Sequence, residues 1–326
     1  MNTTKTALVL GATGGIGGAL ARELVARGWR VRAMIRRPAA APAIDGVDWV
    51  GGDAMRREDV VAASAGAALI VHAVNPAGYR NWETLVLPML ESTIAAARAS
   101  GARILLPGTI YNYGSGSAPV LRESSPQRPS SRKGAIRVRM EEMLREAAAD
   151  GVRSLVVRAG DFFGPGAANN WFAQGMVTPG RALTALVYPG SPGVGHGWAY
   201  LPDLASTMAR LVEQGERLGA FDVFHFRGHW DADGTAMTAA IERAAGRALT
   251  MRRLPWFVLR LLAPFKVLFR EMLEMRYLWQ EPFELDNAKL LRFLGSEPHT
   301  PLDQAVRLTL EGLGCLEAEE GCALPA

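Results

Sequence analysis

The sequence predicts an α/β protein: a doubly wound parallel sheet with a smaller, mostly helical C-terminal lobe. Three observations carry this. Short apolar runs alternate with helical patterns through the first half, as right-handed crossovers and a sheet covered on both faces require. A glycine-rich turn joins the first run to the first helix. After about Asp161 the rhythm breaks into segments rich in Gly, Pro and Asn, and helices then dominate the C-terminal third.

Taken in order, "TALVLGA" reads as a buried strand and "GGALARELVARG" as a helix that Gly28 ends. "RVRAMI", "VDWVGGD", "ALIVHAV" and "ARILLPG" are the next four strands. "WETLVLPMLESTIAAARAS" is a helix that Pro88 should kink. A further helix holds "SSRKGAIRVRMEEML", and "GVRSLVVRAG" is the sixth strand. "GPGAANNWFAQG" and "YPGSPGVGHGW" are loops, "RALTALVY" and "FDVFHFRG" are strand-like, and "EAEEGCALPA" is a frayed tail. Residues 1–165 are thus expected to form the first domain, which also receives part of 195–228. Residues 166–326 are expected to form the substrate-binding lobe.

With 326 residues, 49% apolar and 21% charged, the chain is globular and long enough for a full core. A net charge of +4 without a Lys/Arg tract argues against nucleic acid as a partner. Only four of the 36 basic residues are lysine (Lys5, Lys133, Lys266, Lys289). Cys315 and Cys322 have no metal or disulfide-framework spacing, and no metal site is expected, so a reducing cytoplasm is the expected location. The first apolar run breaks at glycines too soon for a signal peptide. "LPWFVLRLLAPFKVLF" carries Arg260, Pro264 and Lys266, so no stable membrane insertion is expected. It reads as a buried or capping helix of the second lobe, the other reading being a helix on a membrane surface.

"VLGATGGIGG" follows the first strand and opens the first helix. Gly11 allows the tight turn, Gly14 lets backbone approach a pyrophosphate, and Gly17 lets helix and strand pack closely. The amides at that helix start hold the anion. This is the signature of a Rossmann-type sheet, and it places Thr13, Gly15 and Ile16 at a dinucleotide. An acid usually binds the ribose about 20 residues further on, but no Asp or Glu lies between Arg30 and Pro42. Arg36 and Arg37 stand there instead, which points to the 2′-phosphate of NADP(H), NAD(H) being less expected; a solvated arginine pair is the other reading. Open sheets bind ligands outside their strand C-termini. That places Asp53 and Ala54 at the adenine, Ala73, Val74 and Asn75 at the cofactor's middle, and Ala159, Gly160 and Phe162 at its far end.

With these motifs the chain resembles the extended or atypical short-chain dehydrogenase/reductases, the NAD-dependent epimerase/dehydratase group. "GATGGIGG", "LLPGTIYNYG", "VVRAGDFFGPG", "GWAYLPDLA" and "FELDNAKLLRFLGSEPHTPLDQAV" are each similar to a segment of that family, so the resemblance covers nearly the whole chain. It implies a hydride-transferring oxidoreductase or epimerase, and it puts Thr109 in the role of the residue that holds the substrate oxygen. One departure stands out. The family's Tyr-x-x-x-Lys pair is followed four residues later by a glutamate. Counting back from Glu141 gives Arg137 for the lysine and Lys133 for the tyrosine, and no tyrosine lies between Tyr113 and Tyr188. "KGAIR" is also similar to the K-x-x-I-R pattern of the isoflavone-reductase-like relatives.

Reduction of a carbonyl needs a proton source and a hydrogen bond to the developing alkoxide. A lysine ammonium supplies the proton outright, so Lys133 is the candidate donor; Arg137, one turn on, is the second cation and a candidate for the ribose hydroxyls. A solvated basic helix face is the other reading. Tyr111 and Tyr113 are rival donors, Tyr113 matching a position that packs. Tyr111, Asn170, Trp171 and His196 fall where a small, partly apolar carbonyl substrate is expected, with aromatic packing and a structural histidine as the alternatives. Two functions follow: an NADP(H)-dependent reductase or epimerase, or a non-catalytic NADP(H)-binding regulatory protein. The chain is expected to be a monomer or a homodimer.

Overall fold

The computed structural model describes residues 4–76 and 81–316. The strands are β1 (Thr6–Leu10), β2 (Arg30–Ile35), β3 (Val47–Gly51), β4 (Leu69–His72), β5 (Arg103–Thr109), β6 (Val120–Leu121), β7 (Ser154–Ala159), β8 (Asp161–Phe163), β9 (Ala185–Tyr188), β10 (His196–Tyr200), β11 (Phe221–His225), β12 (His229–Asp231), β13 (Thr250–Arg253) and β14 (Glu284–Leu285). The α-helices are α1 (Gly15–Ala26), α2 (Arg57–Ala63), α3 (Trp82–Ser100), α4 (Arg132–Ala149), α5 (Leu201–Glu213), α6 (Ala236–Ala245), α7 (Trp256–Leu262), α8 (Val267–Glu274), α9 (Ala288–Leu294) and α10 (Leu302–Gly312).

Seven strands form one parallel sheet in the order β11-β7-β5-β4-β1-β2-β3. Side chains alternate across it, as the period of two requires. Ala7 and Val9 of β1 pack with Leu20 and Leu24 of α1 and Leu204 and Met208 of α5. Leu8 and Leu10 point the other way, into the layer built on Val60 of α2, Leu90 of α3 and Leu144 of α4. Both faces of β1 are therefore dry, which is why its sequence is an unbroken apolar run rather than an alternating one. α3 continues through Pro88 to Ser100 as a single helix. The order of strands reverses on either side of β1 and β4, so a crevice opens above their C-terminal ends.

The chain leaves this sheet after β7 and returns to its edge at β11. The remaining strands form small sheets, β12-β10-β8, β13-β9 and β14-β6. A separate aromatic and aliphatic core, centred on Phe163, Phe172, Trp198 and Trp279, holds α6 and α10 together. The segment expected to be a buried or capping helix is different. In α7 only Leu259 is buried, while Phe257 and Leu261 face solvent, as does Phe265 just beyond. Among the described residues its main neighbour is α8. Among the described residues no helix is long and apolar enough to cross a membrane. Cys315 is buried as a free thiol; Cys322 and the tail lie outside the described residues.

Candidate functional site

The glycine turn is built as its spacing demands. Gly11 has φ +92°, and a Cβ there would sit 2.5 Å from the Ala73 carbonyl oxygen. A Cβ on Gly17 would sit 2.2 Å from the Gly11 carbonyl oxygen, so only glycine lets α1 lie this close to β1. Gly14 is different: its nearest neighbour is the Gly11 oxygen at 3.4 Å, and the side a Cβ would occupy is otherwise open. Gly14 also caps α1 without a side-chain hydrogen bond, and no acid lies in the first turn. The first-turn amides of a twelve-residue helix thus face an open cradle that suits a diphosphate.

From this cradle one cavity of about 420 Å³ runs to α8. Gly11, Thr13, Gly14, Gly15 and Ile16 line one end, and Ala73, Val74, Asn75, Gly160 and Phe162 line the middle. Thr109, Tyr111, Lys133, Arg137, Asn170 and Trp171 line the other end. Gly17 and Ala159 are buried in packing and do not reach the cavity. Arg36 and Arg37 are exposed beyond the end of β2, beside β1. Asp53 and Ala54 follow β3, where the Asp53 carboxylate accepts the Met55 amide at 3.0 Å; these four stand outside the cavity proper.

His196 requires a correction. It does not line the cavity but lies behind it, stacked on Trp279 at 3.8 Å between ring centroids, with Nε2 2.9 Å from Asp161 Oδ2. Asp161 is the residue of this pair that lines the cavity, and His196 orients it. Asn170 lines the cavity, but its side chain is spent locally: Nδ2 donates to the Ala167 carbonyl at 2.7 Å and Oδ1 accepts the Ala173 amide at 2.8 Å. Tyr113 is fully buried, bonded to Arg158 at 2.5 Å and to His225 at 2.9 Å, and burial pushes its phenol up to about 12. That removes it as a proton donor to a ligand in the cavity.

The register drawn from Glu141 has a physical basis. Glu141 is buried on α4 and receives Arg158 at 2.6 and 2.9 Å and the Asn112 amide at 2.8 Å. This lattice clamps α4 to β7. Ser131 caps α4 by accepting the Gly134 amide at 3.0 Å. A Cβ on Gly134 would sit 2.2 Å from the Tyr111 carbonyl oxygen, so glycine lets the helix start press against the segment after β5. Lys133 and Arg137 are then carried to the cavity wall, next to Thr109 in the lining.

Lys133 is not a solvated cation. It is buried, and Nζ lies 2.6 Å from Glu271 Oε2 and 3.3 Å from the Glu271 carbonyl oxygen. Its backbone amide donates to Glu274 Oε1 at 3.1 Å. Both glutamates come from α8, so the start of α4 and the C-terminal lobe are joined by an ion pair inside the cavity wall. Negative side chains at a helix start also gain from its dipole. Arg137 donates to the Pro107 carbonyl at 3.4 Å and lies 5.3 Å from the Trp82 ring, whose indole in turn holds Asn75 at 2.5 Å. His72 adds a neutral group: burial and then Arg137 lower its pKa to about 3. Its Nδ1 meets Thr93 Oγ1 at 2.8 Å, while its buried Nε2 has no hydrogen-bond partner among the described residues.

The sequence reading missed His72, Asp161, Leu201, Glu271, Met272 and Met275, all of which line the cavity. Asp161 was within reach, since it lies two residues past the C-terminal end of β7. Glu271 was not, because 138 positions separate it from Lys133.

The NAD-dependent epimerase/dehydratase family model matches residues 7–225, which is most of the chain. The protein belongs to that family. A Streptomyces protein named a 3-diazoavenalumate denitrifying reductase is 33% identical over 174 residues, 49% of this chain and 57% of the relative. The chain thus spans little more than half the length of that curated relative. UDP-glucose 4-epimerase from Bifidobacterium longum, solved with NAD+ and UDP, superposes with a TM-score of 0.72 at 15% identity, covering 95% of this chain and 98% of that one. The dTDP-glucose 4,6-dehydratase of Streptomyces venezuelae, solved with NAD and TYD, gives 0.72 at 17% identity over 94% and 96%. At such identities these two likenesses establish the fold.

Proposed function

We propose that this family member is an NADP(H)-dependent reductase of a small, partly apolar carbonyl compound, in which Lys133, held by Glu271, replaces the missing tyrosine. The observation that carries this is the buried Lys133–Glu271 pair, placed in one cavity with Thr109 and the glycine cradle. A bound nicotinamide would supply the hydride. The chain's own residues do the rest. The cradle at Gly14 takes the diphosphate, and Arg36 and Arg37 favour the 2′-phosphate of NADP(H) over NAD(H). Thr109 holds the substrate oxygen, and the Lys133 ammonium gives that oxygen its proton. Glu271 keeps the ammonium in place and compensates its charge. Trp171, Met272 and Met275 give that end of the wall an apolar part beside its polar groups, which suits a compact, partly apolar substrate.

The test is NADPH oxidation across a carbonyl panel with wild type, Lys133→Met and Glu271→Gln. Removing a general acid typically costs about 10²–10⁴ in turnover. Unchanged turnover in Lys133→Met takes Lys133 out of the reaction. Tight NADPH binding with no turnover on any substrate instead supports a regulatory, non-catalytic protein.

A second reading is favoured by the Streptomyces relative's name together with the lost tyrosine. When hydride replaces the N₂ of a diazonium carbon, the new C–H bond forms, N₂ leaves with the electrons of the C–N bond, and no alkoxide needs a proton. Lys133 and Arg137 would then hold the anionic end of a diazo-bearing acid. NADPH-dependent N₂ release from such an acid, with no activity on the carbonyl panel, selects this reading.

A further inference from the structure

The region from Arg243 to Arg270 holds seven cations and no acid. Arg243 pairs with Asp303, and Arg247 donates to the Leu183 carbonyl. The other five, Arg252, Arg253, Arg260, Lys266 and Arg270, are exposed, and none has a carboxylate within ion-pair distance among the described residues. Set among them are large apolar side chains in solvent: Phe265 is 83% exposed, Phe257 76% and Leu261 69%. Phe257 and Leu261 are one helical turn apart and share a face of α7, with Arg260 at its edge. Single exposed apolar residues need no explanation, but a cluster in a stretch without any acid does.

We propose that α7 and the turn into α8 form a docking surface for an anionic lipid bilayer. The apolar side chains would enter the interface, and the five cations would meet the headgroups. Charge decides between this and a second copy of the chain. A two-fold contact through the patch would bring ten uncompensated cations together, whereas an anionic bilayer neutralises them. The aliphatic Leu261 and Leu262 likewise offer nothing to a nucleic-acid backbone. The contact is peripheral, since no described helix can span a membrane. α8 ties this surface to the cavity: Glu271, Met272 and Met275 face inward from and just after the same helix. The proposal does not depend on which reaction the cavity performs.

The test is co-sedimentation of the full chain with vesicles of phosphatidylcholine alone and of phosphatidylcholine with phosphatidylglycerol, at low and high salt. Binding is expected only to the phosphatidylglycerol vesicles and should weaken with salt. The variants Arg260→Glu/Lys266→Glu and Phe257→Ser/Leu261→Ser/Phe265→Ser should each bind roughly tenfold more weakly or worse. Because these side chains are exposed, both variants should keep the wild-type melting curve. Absent binding, equal binding to both vesicle types, or wild-type binding by the charge-reversed variant would overturn the proposal. So would a wild-type dimer that the triple serine variant dissolves.

Discussion

The two ends of the cavity are made in different ways. At the glycine end, residues close in sequence build most of the surface: β1, the turn and α1 follow one another within about twenty positions, and the clashes that Gly11 and Gly17 avoid can be assigned to named backbone atoms. At the far end, the decisive contact is the seam between α4 and α8, where Lys133 meets Glu271. The first end is local and backbone-driven. The second is long-range and depends on the buried Lys133 meeting the partly buried Glu271.

Acidification should have the largest effect, because it acts on the frame of both ends. Burial lowers His72 and His225 to about 3 and His229 to about 4, below the ordinary 6.5. A lowered pKa means the fold holds these rings neutral. The stability they contribute is complete above about pH 6.5 and is lost as pH falls below it, at about 1.4 kcal/mol per pH unit for each. Urea midpoints measured from pH 7.5 to 5 should fall steeply, and His72→Leu should flatten the slope by about one proton.

Next in size are substitutions at the glycine end. In Gly17→Ala the new methyl meets backbone that cannot yield, so a loss of about 3 kcal/mol is expected in urea. In Gly14→Ala the methyl meets no such obstacle, so stability should change by less than about 0.5 kcal/mol. NADPH affinity should nevertheless fall about tenfold or more, because the methyl stands where the diphosphate approaches. Equal stability losses in the two variants would erase the distinction between a packing glycine and a cradle glycine. Smallest is Arg36→Ala. It should weaken NADPH binding roughly tenfold, the worth of one charge-assisted contact, and leave NADH unchanged.

The same contrast explains what could be read from the sequence. Alternating apolar runs gave the sheet because both faces of β1 are dry. The Gly11–Gly14–Gly17 spacing was legible because turn and helix follow one another in sequence: Gly17 packs on Gly11, Gly14 leaves its side open, and Gly11 lies against Ala73 at the end of β4. Counting back from Glu141 placed Lys133 and Arg137 through the family motif, and the ion pair of Glu141 with Arg158 on the next strand is what ties α4 to the sheet. His196 was misplaced because the glycine-rich stretch around it reads as a loop, whereas it opens strand β10 and stacks on Trp279 behind the cavity. α7 was misjudged because apolar composition says nothing about whether another element is left to cover it. Glu271 had no local signal, since an ion pair between distant helices leaves no spacing.

The most direct measurement at the seam is the turnover number against KM, with stability in parallel, for Lys133→Met, Glu271→Gln and the double variant. If the pair delivers the proton, Lys133→Met should lose about 100-fold or more in turnover with a smaller change in KM. The double variant should be no slower than Lys133→Met alone. Removing either partner of this pair should also cost about 3 kcal/mol of stability, part of which the double variant regains. Full turnover in Lys133→Met, or losses in turnover that simply multiply in the double variant, would contradict a shared role for Lys133 and Glu271 in proton delivery.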